Sequence, residues 1–531
     1  MRFQRSLALL GVALLYLALG PVVVVAGLGA LCVPRVRHWL RPTWRVVGGW
    51  AATILALAGI VVVIPDGWLP IPPGPGLLVT PAYVGRPATP HPIDVEIPQH
   101  PGLARNGASS MHNDGWASDA YAWSGPLGES PRVDTAWYGL EECATLAFDS
   151  EERLIALCGD LSGPVLHVLD PESMRPLATK DLPDRPDGNG KKPWENLCAG
   201  AYFYLDAGDR AVVATTDRHI LVIGTRDANG EPDLTTDETF DLSAQVPEDD
   251  CLIALMPDWQ GRIWYVTQDG RAGFVSPDSG RATVLDLGEE VANSFAVGRD
   301  GGVYIVTVEA LYKLGVGAAG RPTVTWRTPY DRGTRTKPGQ LSQGSGTTPT
   351  LLPGGLVAIT DNADPRMHVQ FYDVADGGLV CQTAVFDDDE SASDNSLASV
   401  GNGVIVENNY GYSGPLRTLV GRTTPGGLAR VDIDGDKCAV AWTSDEVAPT
   451  SVAKVSLANG LVYAYTKRKS WWGVNAWYLT AVDARTGRTV WAVRTGLGTL
   501  FNNHYAAITL APDGSAYVAT LAGMVRVRDR D

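Results

Sequence analysis

A pair of short β-strands joined by a tight turn recurs about every fifty residues beyond Leu140. Each unit has an apolar strand, a turn, and a second strand rich in Val, Ile, Tyr and Ala. Most turns carry the Gly, Asn or Asp that tolerates the positive φ of a hairpin. Eight such turns begin at Asp149, Asp206, Asp258, Asp300, Pro353, Gly401, Asn459 and Asp513. A repeat of this length restricts the chain to folds in which like units pack on their neighbours.

A second hairpin follows in most units, with turns such as Ser276–Gly280 and Asp483–Gly487. Two hairpins make a four-stranded antiparallel unit, and eight of these in a row predict an all-β, eight-bladed β-propeller. Seven blades stay open if one unit is irregular. The last unit supplies only three strands before the chain ends, so we expect a strand near Arg132–Tyr138 to complete it and close the ring.

Two apolar runs without charged residues open the chain, Ser6–Val33 and Val46–Ile64. Each is long enough to cross about 30 Å of hydrocarbon at a rise of about 1.5 Å per residue. The sequence therefore predicts two transmembrane α-helices, with cleavage of the first as a signal peptide as the alternative. The linker Pro34–Arg45 holds four arginines, which places it in the cytoplasm and the rest of the chain outside.

Acidic residues dominate the remainder of the chain. Six arginines and no acid lie before Asp66, so residues 66–531 carry 37 Lys+Arg against 59 Asp+Glu. Such a body repels phosphate backbones, which excludes nucleic acid as a partner. The predicted location is a bacterial cell membrane, with the propeller on the extracytoplasmic side.

Composition divides the chain into four parts. Residues 1–64 form the two-helix anchor, and the proline-rich residues 65–101 are predicted to be an extended stalk. Residues 102–139 are a polar and aromatic lead-in segment that includes the closing strand. Residues 140–531 form the propeller. Whether the lead-in segment covers an edge of the propeller or enters its mouth stays open.

Six cysteines follow the apolar part, an even number in an exported domain, which suggests disulfides. The first predicted pair is Cys143–Cys158, within one hairpin. The second is Cys198–Cys251, between neighbouring inner strands. Buried free thiols are the alternative.

The stretch Ala481–Trp491 (Ala-Val-Asp-Ala-Arg-Thr-Gly-Arg-Thr-Val-Trp) resembles the tryptophan-docking repeat of quinoprotein (PQQ-type) propellers. Trp326 and Trp442 fall at loosely similar positions. The resemblance implies the fold and implies that these tryptophans stack between blades. It is weak support for the cofactor PQQ, because many members carry an adjacent cysteine pair that this chain lacks.

The loops that enter the innermost strands and those that join second to third strands share one face of a propeller, which we call the mouth face. Asparagines enter alternate inner strands at spacings of 97, 102 and 108 residues. The predicted ligand-binding residues of this face are Asn196, Asn293, Asn395, Asn503, His504, Asp361, Asp364, Glu407 and Asn408.

Two interpretations of these residues stay open. In one, each asparagine caps a strand entry by bonding to nearby backbone. In the other, oxygen atoms of Asn395, Glu407 and Asp361 bind Ca²⁺, a hard cation that takes six to eight such ligands. No catalytic residue can be assigned, because the chain lacks Gly-x-Ser-x-Gly and His-Glu-x-x-His motifs.

A third feature of the mouth face is a cationic and aromatic surface loop made of Lys467, Arg468, Lys469, Trp471 and Trp472, suited to sugars or anionic headgroups. Together these features predict a membrane-anchored propeller that binds a protein or carbohydrate ligand, with calcium as a candidate cofactor. The alternative is an enzyme that uses the mouth, either a calcium-dependent hydrolase or lactonase or a PQQ-type oxidoreductase.

Overall fold

The structure, a computed structural model, describes residues 2–40, 44–160, 163–185, 198 and 202–530. Four helices open the chain: α1 (Arg2–Leu19), α2 (Val22–Leu31), α3 (Pro34–Leu40) and α4 (Trp44–Val63). Three strands precede the repeats: β1 (Tyr83–Gly85), β2 (Ala120–Tyr121) and β3 (Arg132–Trp137). The remaining strands form the repeating units, taken here in chain order.

The strands of the first four units are β4 (Glu142–Phe148), β5 (Leu154–Gly159), β6 (Pro164–Leu169), β7 (Pro176–Asp181), β8 (Phe203–Leu205), β9 (Arg210–Ala214), β10 (His219–Gly224), β11 (Asp227–Ala228), β12 (Glu231–Pro232), β13 (Thr236–Asp241), β14 (Leu252–Pro257), β15 (Ile263–Thr267), β16 (Arg271–Ser276), β17 (Arg281–Asp286), β18 (Ala296–Val297), β19 (Val303–Val306), β20 (Ala310–Val316) and β21 (Pro322–Pro329).

The strands of the last four units are β22 (Thr350–Leu352), β23 (Leu356–Thr360), β24 (His368–Asp373), β25 (Leu379–Ala384), β26 (Ala398–Ser399), β27 (Gly403–Glu407), β28 (Leu428–Asp434), β29 (Lys437–Ser444), β30 (Lys454–Ser456), β31 (Leu461–Lys467), β32 (Ala476–Asp483), β33 (Thr489–Leu497), β34 (Ile508–Leu510), β35 (Ala516–Thr520) and β36 (Gly523–Arg528).

Apart from the two-stranded β11–β12 pair, these strands form eight sheets, each built on a four-stranded antiparallel blade, so the prediction of an eight-bladed propeller is confirmed. All eight turns named from the sequence join the first strand of a blade to its second. The last blade has the order β3-β36-β35-β34, in which the predicted closing strand supplies the outermost position. The two ends of the propeller are therefore joined within one sheet.

Tryptophans pack between neighbouring blades, as the resemblance implied. The indole of Trp442, in the sixth blade, lies against Gly487 of the seventh, where a Cβ would approach the ring to 2.6 Å. Its Nε1 donates to the Ala484 carbonyl at 2.8 Å. Trp326, in the fourth blade, makes the same contact with Gly377 of the fifth. The glycines are needed because a side chain at these positions would displace the ring.

The first N-terminal apolar run folds as two helices rather than one, whereas the second forms the single helix α4. The run predicted as one span, Ser6–Val33, is divided between α1 and α2 by Gly20, which has a φ of +81°, and by Pro21. Proline is tolerated in the first turn of a helix, but within a helix it removes a backbone hydrogen bond and breaks or kinks the helix. Within the described residues, none of the helices combines the length and apolar character that a membrane crossing requires. The two predicted transmembrane helices are thus not found, and membrane attachment stays a prediction.

The proline-rich segment, which was expected to be a stalk, lies along the propeller. β1 pairs with β33 as an extra outer strand of the seventh blade. Further along, the His91 and Ile93 amides donate to the carbonyls of Asn459 and Leu457. The segment therefore bonds both to the outer edge of the seventh blade and to the turn that follows β30.

Three disulfides cross-link the propeller. Cys143–Cys158 joins β4 to β5, and Cys198–Cys251 lies before the third blade, so both predicted pairs are confirmed. The remaining pair, Cys381–Cys438, joins the outer strands of the fifth and sixth blades. The free cysteine among the described residues is Cys32, which is exposed.

Candidate functional site

The central channel is filled by the chain's own lead-in segment. Residues Ala108–Trp123, here called the plug, bond to the inner strands of seven of the eight blades. The backbone amides of Phe148, Leu205, Val297, Leu351, Ser399 and Leu457 donate to plug carbonyls, and Trp123 Nε1 donates to the Leu510 carbonyl. Most of these contacts lie at the C-terminal ends of inner strands. The plug therefore enters from the end opposite the predicted asparagines, which answers the question that the sequence left open.

A fully buried ion pair fixes the plug to the seventh blade. Asp119, in the plug, accepts a hydrogen bond from Lys454 Nζ, and neither side chain is exposed. His112 Nδ1 also lies 3.1 Å from the carboxylate, and Ser396 Oγ donates to it. Burial opposes ionisation, but the Lys454 ammonium and His112 hold the pKa of Asp119 below its usual range.

The mouth side of the channel contains a second buried carboxyl, Glu407, at the end of β27. Asn395 Nδ2 donates to its Oε2 at 2.6 Å, and Ser451 Oγ donates to its Oε1 at 3.3 Å. The same Asn395 amide donates to the Ser451 carbonyl at 2.6 Å. Burial raises the pKa of Glu407 to about 8, despite these hydrogen bonds. The structure thus brings together two of the three predicted calcium ligands.

The third predicted calcium ligand, Asp361, is held within its own blade. Its carboxylate accepts from His368 Nδ1 at 2.8 Å and from Gln370 Nε2 at 3.3 Å. Asp364, nearby on the same loop, is exposed and accepts from Thr334 Oγ1 at 2.8 Å. These contacts stabilise the loop that joins β23 to β24, and they leave the role of both residues in binding a prediction.

The amides of the other predicted asparagines bond to neighbouring loops. Asn503 Oδ1 accepts from Thr450 Oγ1 at 2.6 Å, and Asn503 Nδ2 donates to the Ala506 carbonyl. Asn293 Oδ1 accepts from Tyr202 Oη at 3.1 Å, while Asn408 Nδ2 donates to the Glu390 carbonyl at 2.8 Å. These are bonds of the strand-capping kind. Asn196 lies outside the described residues.

His504 lies beside the mouth with its ring against Tyr412, whose hydroxyl is 3.2 Å from Nδ1. Burial lowers the pKa of His504 to about 4, so the imidazole is neutral near physiological pH. The loop that carries Tyr412 also contacts the segment around Gly339, because the Gly411 amide donates to the Pro338 carbonyl. Two loops therefore pack together over this side of the ring.

The predicted surface loop divides into a buried and an exposed part. Lys467 is the last residue of β31 and is buried, with its ammonium donating to the Arg422 carbonyl, so its placement with the surface loop was wrong. Lys467 belongs to the buried strand β31, whose packing turns its side chain inward. Its position in a run of three cations had suggested an exposed loop. Trp471 and Trp472, by contrast, are 87% and 65% exposed.

One group of potential metal ligands was not expected from the sequence. Glu141 and His167 lie with Cys158 close enough together to bind a metal ion, and His167 Nε2 is 2.6 Å from Glu141 Oε1. Cys158 is bonded to Cys143, however, and a disulfide sulfur is not the thiolate that binds metals. The oxidised protein therefore offers two ligands here.

The buried pair Asp119–Lys454 was also missed, although the sequence holds one signal for half of it. Lys454 is a charged residue within an apolar inner strand, and such a residue is almost never buried without a partner. Its partner lies 335 residues away in a segment without a repeat, so no spacing could identify it.

Comparison with known proteins supports the propeller fold. No family model matches the chain. An uncharacterised protein of Archaeoglobus fulgidus is 27% identical over 318 residues, which are 53% of this chain and 61% of that protein. The match thus spans less than two thirds of the relative's length.

Among solved structures, quinohemoprotein alcohol dehydrogenase from Comamonas testosteroni matches with a TM-score of 0.53 and 11% identity, over 82% of each chain. A second quinohemoprotein alcohol dehydrogenase, from Pseudomonas putida HK5, has a TM-score of 0.47 and 12% identity over 81% of this chain and 80% of its own. BamB from Moraxella catarrhalis has a TM-score of 0.35 and 14% identity over 60% of this chain and 93% of its own. The chain shares the propeller fold with the first of these structures, and the similarity to quinoproteins holds at the level of the fold.

Proposed function

We propose that this chain is a membrane-anchored, extracytoplasmic binding propeller whose mouth takes up Ca²⁺ and thereby a ligand or protein partner. The observation that carries the proposal is the buried Glu407 carboxyl. The hydrogen bonds described for it come from neutral groups, Asn395 and Ser451. A carboxylate in such a place is stabilised either by a proton or by a metal cation.

The groups around Glu407 fit a hard cation. The carboxylate and the carbonyl and hydroxyl of Ser451 are oxygen ligands, which Ca²⁺ prefers, whereas Asn395 presents its amide nitrogen to them. Water would complete the six to eight ligands that the ion takes. Ca²⁺ bound there would remove the cost of ionising Glu407 in a buried position.

The residues near the axis do not fit PQQ, which carries several carboxylates and needs cationic partners. Of the buried lysines, Lys454 is bonded to Asp119 and to the Met111 carbonyl, and Lys337 donates to the Ala363 carbonyl. Two further acids are Asp114, in the plug, and Asp394, next to Asn395, and burial raises the pKa of both to about 7. These carboxyl groups offer an anionic quinone no cationic partner.

The extracytoplasmic location is supported by the three disulfides, because disulfides persist in oxidising compartments. The acidic body and the arginine-rich start of the chain agree with it. A protein or carbohydrate ligand remains the expected partner.

Thermal unfolding of the purified full chain, with its disulfides intact, tests the cation. We expect Ca²⁺ to raise the melting temperature of the wild type, since an ion at about 100 times its Kd adds about 2.7 kcal/mol. Glu407→Gln keeps the shape of the side chain and removes its charge, so the Ca²⁺ effect should be lost. Asp388→Asn, at an exposed carboxylate, is the matched control and should keep it.

Two outcomes would contradict the proposal: a wild type that Ca²⁺ does not stabilise, or a Glu407→Gln variant that responds as the wild type does. The enzyme alternative has its own readout in the same preparation. Added PQQ that binds and gives a visible absorption band would favour an oxidoreductase over a binding protein.

A further inference from the structure

Four large apolar side chains are exposed together on the mouth face. Leu416, Val420, Trp471 and Trp472 are 74%, 67%, 87% and 65% exposed, and we call them the tryptophan patch. They lie on two loops that are bonded to each other, because the Ser470 amide donates to the Gly421 carbonyl at 2.9 Å. Single exposed apolar residues are common, but a group of this size marks an interaction surface.

The patch is continuous with the N-terminal apolar helices. Gly473, which follows the two tryptophans, lies between Val420 and Pro21, and a Cβ on it would be 3.2 Å from a side-chain carbon of each. Pro21 joins α1 to α2, whose apolar side chains are exposed as well, such as Leu14 at 58% and Val25 at 70%. One apolar surface therefore extends from the helices onto the loops of the mouth face.

Cations lie at the edge of this surface. Lys469 Nζ lies 4.8 Å from the centre of the Trp471 ring, and Arg468 lies 3.6 Å from Glu446. Tryptophan beside lysine and arginine is the composition of a membrane–water interface, where the rings sit at headgroup level and the cations meet anionic lipids. The core of a protein interface, in contrast, is depleted of lysine.

We infer that the tryptophan patch and the α1–α2 segment together bind the interface of an anionic lipid bilayer, so that the mouth face is turned toward the lipid. The patch adds its apolar area and cations to those of the helices, which fixes the orientation of the propeller. The inference goes beyond the proposed function, because it holds whether or not the mouth binds Ca²⁺.

Fluorescence quenching on the full chain in lipid vesicles tests this orientation. A Cys32→Ser background removes the exposed free thiol, and Trp471→Cys then accepts an environment-sensitive fluorophore. Asp436→Cys is the matched control, since Asp436 is exposed at a turn on the opposite face. In vesicles of phosphatidylcholine and phosphatidylglycerol with brominated chains, we expect quenching at residue 471 to be severalfold stronger than at residue 436.

Equal quenching at the two positions, whether weak or strong, would overturn the inference. Weak quenching at both would mean that the patch faces water or a protein or glycan partner. A second label, on Leu416→Cys, tests the contribution of the tryptophans. Trp471→Ser with Trp472→Ser should weaken quenching at residue 416, and unchanged quenching there would also count against the patch.

Discussion

Acidic side chains outnumber basic ones near the axis of the ring, and their environments differ. Asp119 is neutralised by Lys454 and accepts further hydrogen bonds from the plug and the sixth blade. Glu407 receives hydrogen bonds only from neutral groups among its described contacts, and burial raises its pKa to about 8. One carboxyl therefore holds the structure together, whereas the other holds a proton that a cation could replace.

The raised pKa of Glu407 makes stability depend on pH. An unfolded glutamate ionises near pH 4.3, whereas the folded one keeps its proton to about pH 8. Between these values the folded state binds more protons, so the free energy of unfolding should fall as the pH rises. In a chelating buffer, we expect Glu407→Gln to lose less stability than the wild type between about pH 5 and pH 8.

Thermal unfolding followed by circular dichroism at both pH values measures this difference. Other groups that titrate in this range, such as Asp114 and Asp394, are present in both proteins, so they cancel in the comparison. Asp388→Asn should behave as the wild type does. If Glu407→Gln and the wild type lost the same stability, the carboxyl would not be the group responsible.

At the scale of strands and turns, the sequence predicted what depends on local rules. The eight hairpin turns could be found because each needs residues that tolerate positive φ, and a turn of this kind fixes the strands on either side. The role of Trp442 could be expected for the same reason, since its partner Gly487 belongs to a repeated turn. The positions of the turns and of the tryptophan contact can therefore be predicted from the repeat.

The site depends on contacts that no local rule encodes. Asp119 and Lys454 lie far apart in the chain, and the plug that brings them together has no repeat of its own. Lys467 was misplaced because neighbouring cations suggested an exposed loop, whereas packing of β31 carries its stem inward. The break between α1 and α2 shows the same limit. The hydropathy of the run predicts one continuous apolar helix, and it does not predict that the helix is interrupted at Gly20 and Pro21.

Two glycines at equivalent turns separate the effect of backbone conformation from that of tryptophan packing. Gly487 and Gly435 have φ of +69° and +60°, and both join the third strand of a blade to the fourth. A Cβ at Gly435 meets nothing within 4 Å, whereas one at Gly487 meets the Trp442 ring. Gly435→Ala should cost about 1 kcal/mol from the backbone alone, and Gly487→Ala about 1–3 kcal/mol more from displaced packing.

Denaturant unfolding of both variants gives the two free energies. The added Trp442→Ala substitution is the control, because it removes the ring and should reduce the difference between the glycine variants. Equal costs for the two substitutions would mean that the tryptophan contact does not stabilise the junction between blades.

The whole ring is closed in two independent ways. β3 pairs with β36 along six residues of the eighth blade, which joins the start of the propeller to its end. The plug then bonds to the inner strands of seven blades. A propeller without such closures would separate at its weakest blade junction, whereas this one must lose several contacts before any blade can leave.

The contribution of closure can be measured with a proline in one outer strand. Ala136→Pro, in β3, removes a backbone donor from the strand that joins the two ends of the ring, whereas Ala178→Pro makes the same change in β7, the outer strand of the first blade. Both strands lie at the edge of a four-stranded sheet, so their local costs should be similar. Of these two strands, only β3 joins the ends of the propeller. We therefore expect Ala136→Pro to raise amide hydrogen exchange throughout β34–β36 and in the adjoining first and seventh blades. Ala178→Pro should raise the exchange only within β4–β7. If the increase in Ala136→Pro stayed within the eighth blade, the plug alone would be sufficient to hold the ring closed.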